Sequence, residues 1–87
     1  MELAKMPNIG KVLADRLKEV NIGTAEELQL AGAEKAFLLL QAVDPSTCIN
    51  TLYALEGGIQ NIRWHNLDKA RKEELLLFFR HNQNSLG

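Results

Sequence analysis

Met6-Pro7-Asn8-Ile9-Gly10-Lys11, continuing into Val12-Leu13-Ala14-Asp15-Arg16-Leu17-Lys18-Glu19-Val20, decides the reading of this 87-residue chain. Proline holds its own backbone near the value a turn needs. Asparagine tolerates the left-handed conformation and glycine adopts it freely. The three together make a tight turn that opens straight into a helix. Ile9, Leu13, Leu17 and Val20 recur at steps of four, four and three, which is one apolar stripe of a helix over Gly10 to Val20. The first N–H groups of any helix lack an intrahelical partner and carry a partial positive charge. Set beside Lys11, such groups have the chemistry of a phosphate site.

Working outward, the chain reads as five helices with no sheet. Asn21 suits the residue after the first helix, and Ile22 can fold back on the stripe in a Schellman-type cap. Thr24-Ala25-Glu26-Glu27 is a capping box that starts a short second helix ending near Gly32. A third follows at once over Ala33 to Val43, and Asp44-Pro45 stops it. Ser46 or Thr47 is the expected cap of a fourth, whose stripe begins with Ile49, Leu52 and Tyr53. The Gly57-Gly58 pair either ends that helix or lets another backbone come close. Ile62 to Leu67 is a connector, with Trp64 and Tyr53 as core candidates. The fifth helix spans about Asp68 to Asn82, and a polar tail from about residue 83 is expected to fray. The fold class is therefore all-α, a compact single-domain bundle of about five helices over 1–87.

The composition narrows the function. Hydrophobic residues make up 46% of the chain and charged residues 24%, the balance of a water-soluble globule. No apolar run approaches the ~20 residues that cross a bilayer, and the N-terminus lacks the apolar core of a signal peptide. Cys48 is the single cysteine, so no internal disulfide forms; a reducing, cytoplasmic compartment is expected. The net charge is −1, unlike that of a strong non-specific DNA binder. Its distribution is uneven: +1 over residues 1–20, −4 over 21–60 and +2 over 61–87. Any anion-binding surface must then be local and built from the two ends of the chain.

Several motifs in order carry a family resemblance. They are Met6-Pro7-Asn8-Ile9-Gly10, Leu13-Ala14-Asp15-Arg16-Leu17, Val20-Asn21-Ile22-Gly23-Thr24 and Glu27-Leu28, then Gly32-Ala33, Leu52-Tyr53-Ala54-Leu55-Glu56-Gly57 and Trp64, then Leu67, Arg71-Lys72 and Glu74-Leu75. From Met6 to about Phe79 the chain resembles the C-terminal domain of TfoX/Sxy-type competence regulators. The resemblance implies a helix-hairpin-helix-like, SAM-like topology and a regulatory role in competence or transcription. Full-length relatives carry an N-terminal α+β domain ahead of this one; here Met1 stands a few residues before the motif, so a stand-alone version is expected.

The opening turn departs from the usual DNA-binding hairpin, which reads glycine, apolar, glycine. Asn8 takes the first glycine's place, where its side chain either occupies the space of a phosphate or caps the helix. Two functions follow. In the first, a non-enzymatic module contacts the backbone of double-stranded DNA through Asn8, Ile9, Gly10, Lys11 and Val12. In the second, it is a protein-interaction or homodimerisation domain that binds no nucleic acid. The second rests on two runs, Ala36 to Leu40 and Leu75 to Phe79, with more apolar side chains than one helix face holds. Leu38, Leu39, Leu76, Leu77 and Phe79 are its candidate surface.

The remaining chemistry is sparse. Lys69, Lys72 and Arg80 form a basic face on the fifth helix, with Lys69 and Glu73 spaced as an ion pair. Cys48 beside a helix start is open to a lowered pKa, though an inert thiol is the commoner case. Glu56, between Leu55 and Gly57, is expected to be partly buried and to bind a helix N-terminus. Cys48, His65 and His81 lack the spacing of a metal site, and no cofactor or catalytic motif is present.

Overall fold

The computed structural model describes residues 1–84. Five α-helices, with no strand among the described residues, follow in order: α1 (Lys11–Glu19), α2 (Ala25–Ala31), α3 (Ala33–Val43), α4 (Ile49–Gln60) and α5 (Lys69–Asn84). Short 3-10 turns at Leu3–Lys5 and Trp64–Asn66 lead into α1 and α5. The all-α bundle expected from the sequence is the fold observed. Helix α5 runs two residues past its expected end, and the last part of the polar tail, 85–87, lies outside the described residues.

Asparagine punctuates the chain. Asn8, Asn21 and Asn61 are the non-glycine residues with positive φ among those described, at 69°, 67° and 62°. Each is followed by an isoleucine that turns inward. After α1, the Ile22 N–H donates to the Leu17 carbonyl at 2.9 Å, the Schellman cap expected there. After α4, the Ile62 N–H donates to the Gly57 carbonyl in the same way. The Thr24 capping box also forms: the Glu27 N–H donates to Thr24 Oγ1 at 3.1 Å, while Glu27 Oε1 accepts from the Gly23 N–H at 2.9 Å. The N-terminal amine is held against α2 by Glu26 at 2.8 Å.

Two expected caps are corrected. The N-cap of α4 is Cys48, not Ser46 or Thr47. Those two residues are drawn into the turn after α3, where Asp44 Oδ1 accepts from the Ser46 N–H and the Thr47 hydroxyl donates to the Asp44 carbonyl. The N-cap of α1 is Gly10, with no side-chain acceptor, so Asn8 does not cap it. Asn8 has partners elsewhere, described below.

Helix α4 is the centre of the bundle, packed against α2, α3, α5 and the Trp64 turn. Leu17, Leu28, Phe37, Leu40, Leu52, Leu55 and Leu75 are all at most 1% exposed and form the core. Burying side chains of this size contributes about 1.5–3 kcal/mol each. Arg71 of α5 ties three helices together. It donates to both carboxylate oxygens of Glu34 on α3 at 3.0 Å and to Glu56 on α4 at 2.9 Å. Glu56, 8% exposed, therefore answers a guanidinium and the Gln60 amide rather than a helix N-terminus. A carboxylate buried this deeply needs a full charge opposite it. The expected Lys69–Glu73 pair is not formed; the α5 pair is Arg71–Glu74, at 3.6 Å. Exposed pairs contribute too little to hold two long side chains together.

Candidate nucleic-acid interface at the start of α1

The Gly57-Gly58 pair does not end α4. It seats two other segments on the helix. A Cβ at Gly57 would stand 2.5 Å from the Asn8 amide, 2.9 Å from the Ile62 carbonyl and 3.1 Å from Trp64 Cα. At Gly58 it would meet Ile9 Cδ1 at 2.9 Å and the Pro7 carbonyl at 3.2 Å. Both the opening turn and the Ile62–Trp64 connector lie in contact with this bare stretch of α4.

Asn8 joins those two segments. Its Nδ2 donates to the Ile62 carbonyl at 2.9 Å, and its Oδ1 accepts from the Trp64 N–H at 3.0 Å. The side chain thus satisfies a backbone donor and acceptor across more than fifty residues of sequence. It is half-buried, with its amide spent on these two bonds, and borders a cleft beside the turn. Ile9 is 2% exposed and plugs the core. Gly10 has no atom within 4 Å of where a Cβ would stand. Lys11 is exposed and Val12 is 76% exposed. Of the five residues expected to face a phosphate, Gly10, Lys11 and Val12 lie open, Ile9 is buried, and Asn8 is half-buried with its amide already engaged.

A shallow cleft of about 500 Å³ adjoins this turn, lined by Asn8, Gly10, Lys11, Val12, Leu13 and Arg16 of the α1 side, Asn50, Thr51 and Ala54 of α4, and Trp64. None of its lining residues is acidic. The first turns of both α1 and α4 border it, and neither helix has a side-chain cap or an acidic residue in its first turn. The positive ends of two helices therefore open onto one hollow. Cys48, at the N-cap of α4, feels the same field: a hydrogen bond from the Thr51 backbone leads the effects that lower its thiol pKa. Arg16 is partly engaged, donating to Thr47 Oγ1 at 2.6 Å and standing 3.8 Å from Asp44. Lys11 has no ion-pair partner among the described residues.

Trp64 forms the far wall. Its ring stacks with Tyr53 at 5.6 Å and with His65 at 4.0 Å, and Lys72 Nζ lies 5.4 Å from its centroid. It packs against the core while remaining half-exposed. Lys72, read from the sequence as part of a solvated basic face, is half-buried here and donates to the His65 carbonyl.

The apolar candidates divide. Leu77 is 65% exposed, Leu38 39% and Leu39 36%. Leu76 is half-buried, and Phe79 sits edge-on to Phe37 with centroids 5.7 Å apart. Leu30, at 89% exposed, was not singled out from the sequence; Val43, whose spacing puts it on one helix face with Ala36, Phe37 and Leu40, is 65% exposed while those three are buried. Leu30 and Leu39 line a common groove. No group of three His, Cys, Asp or Glu side chains among the described residues is placed to hold a metal ion. No helix among them is long and apolar enough to cross a membrane.

The family model for the TfoX C-terminal domain matches residues 1–79. No match was found among curated proteins. Two crystal structures from Listeria monocytogenes are similar throughout. An uncharacterized protein in a triclinic form is 46% identical, with a TM-score of 0.94 over 95% of this chain and 94% of that one. A protein of unknown function in a tetragonal form is 48% identical, with a TM-score of 0.89 over 91% and 98%. With the family model spanning most of its length and its motifs seated on one continuous bundle, the chain belongs to the TfoX C-terminal domain family.

Proposed function

We propose that this chain is a non-enzymatic, TfoX-type regulatory module that contacts the phosphate backbone of double-stranded DNA through the first turn of α1. The observation that carries this reading is the open start of that helix. Gly10 supplies no side-chain cap, no acidic residue stands in the first turn, and Lys11 projects beside it unpaired. Backbone N–H groups with no protein acceptor gain most from an anion that supplies one. Asn8 supports it as well, since the side chain that replaces the usual glycine is held by two hydrogen bonds to the connector rather than capping the helix start.

The test is fluorescence anisotropy with a labelled duplex. Binding should weaken steeply as salt rises from about 50 to 200 mM. Lys11→Glu should weaken it by about tenfold or more at the lower salt, because one phosphate contact becomes a repulsion. Unchanged affinity in Lys11→Glu would remove the α1 turn from the interface.

A second reading, self-association without DNA, is favoured by the exposure of Leu30, Leu38, Leu39 and Val43 along α2 and α3. Leu30 and Leu39 line one groove, and exposed apolar patches mark protein contacts. Light scattering on the wild type and on Leu39→Glu distinguishes it. A dimer that the variant dissolves supports this second reading, and a wild-type monomer at high concentration sinks it.

A further inference from the structure

The charge on this protein is sorted by its contacts. Three carboxylates, Glu34, Glu56 and Glu74, gather on Arg71, while Glu26 answers the N-terminal amine and Asp44 faces Arg16. Lys11, Arg63 and Lys72 are among the eight Lys and Arg side chains left with no carboxylate partner among the described residues. These three stand on the segments that meet around Trp64. Lys11 shares the cleft that the Trp64 ring walls, Lys72 Nζ stands over that ring, and Arg63 precedes it in the connector, exposed. The first comes from the basic N-terminal end of the chain, the other two from the basic C-terminal end. Folding thus brings cation-bearing segments from both basic ends of the chain together at Trp64, on a protein whose net charge is −1.

We infer that the Arg63-Trp64-His65 connector is a second nucleic-acid contact, set beside the α1 turn by Asn8 so that the two together follow a stretch of duplex backbone. The inference rests on the DNA reading above and extends it. A lone helix start takes one phosphate, whereas this surface presents separate cations on two segments. Asn8 fixes their spacing: it bonds the carbonyl before Arg63 and the N–H after it, so Arg63 is the residue held between its two hydrogen bonds. Asn8 is a positioning residue here. Its own amide is consumed in the clamp, and it acts on DNA only through where it places Arg63 and Trp64. The partner chemistry is a polyanion with regularly repeated phosphates, because unpaired cations on two joined segments gain little from an isolated small anion.

Salt-dependent anisotropy on a labelled duplex tests this with two variants. Arg63→Ala removes one cation from the surface without touching the core. It should bind several-fold more weakly at low salt, with the slope of log affinity against log salt reduced by about 1. Asn8→Gly keeps the left-handed backbone free of strain while deleting the clamp. It should lower both affinity and slope although Lys11 and Arg63 are intact, and the emission of Trp64, the single tryptophan, should shift as the connector loosens. Lys35→Ala, on α3 away from the cleft, should match the wild type.

If Arg63→Ala and Asn8→Gly keep the wild-type slope while Lys11→Glu loses binding, the connector makes no contact and this inference fails while the α1 reading stands. If the wild type binds no duplex at low salt, both fail. Thermal unfolding of Asn8→Gly separates a loosened clamp from a lost fold, and Arg63→Ala decides the matter if that variant does not fold.

Discussion

Gly57→Ala tests the seating of the interface on α4. On helix propensity alone the substitution should stabilise, since alanine is favoured over glycine in a helix interior by about 1 kcal/mol. The new methyl would stand 2.5 Å from the Asn8 amide, 2.9 Å from the Ile62 carbonyl and 3.1 Å from Trp64 Cα. Two of those neighbours are backbone and cannot swing aside. The third is held by its two hydrogen bonds, each worth about 1 kcal/mol net. Overpacking costs about 1–3 kcal/mol more. The balance is a loss of about 2–4 kcal/mol, or a fall in Tm of roughly 10–30 °C for a domain of this size. At Gly58 the nearest contact is the flexible tip of Ile9, so Gly58→Ala should lose about 1 kcal/mol or less. In an Asn8→Gly background one of the three clashes at Gly57 is already gone, and the cost of Gly57→Ala should shrink by about 1 kcal/mol. Urea unfolding followed by Trp64 fluorescence measures the wild type and all four variants. A Gly57→Ala variant as stable as the wild type, or more so, would refute the close-approach argument and leave propensity in control.

Two further outcomes follow from the caps and charges. Thr24→Ala removes the acceptor of the Glu27 N–H and should cost about 1 kcal/mol in urea unfolding, with little change in far-UV circular dichroism. The Arg71 guanidinium holds the Glu34 carboxyl below its usual value of 4.5, so the pair adds stability above that value and loses it as pH falls through the lower folded pKa. Glu34→Gln should therefore be less stable than the wild type at neutral pH by about 0.5–1 kcal/mol, the partial exposure of the pair keeping the difference small. The gap should close as pH falls below the lowered folded pKa, where the wild-type carboxyl is itself protonated; a gap that persists unchanged through the acid range would show that the ion pair is not its source.

The helices were legible because their stripes and caps are local. Thr24 and Glu27 lie within one turn, and Asn21 with Ile22 closes α1 through Leu17 only a few residues back. The long-range roles were not. Asn8 answers to Ile62 and Trp64, 54 and 56 residues away, so local reading offered only a cap or an obstruction. The same limit applied to Gly57-Gly58: the sequence marks an unusual helix but does not say what approaches it. Glu56 reads as a buried carboxylate, yet its partner arrives from α5 through tertiary packing. The apolar run Ala36 to Leu40 has Phe37 and Leu40 in the core and Leu38 and Leu39 outside, a phase set by how α3 meets α4. Asn61-Ile62 repeats the Asn-Ile pattern of the two earlier turns, and that repetition was the available signal for the end of α4.

The α1 turn is tested most directly by nuclear magnetic resonance, with duplex DNA titrated into isotopically labelled protein at low salt. The account predicts amide shifts at Gly10, Lys11 and Val12, the groups with free N–H donors, together with shifts across 62–65. Shifts confined to Leu30, Leu38 and Leu39, or none at saturating DNA, would contradict it.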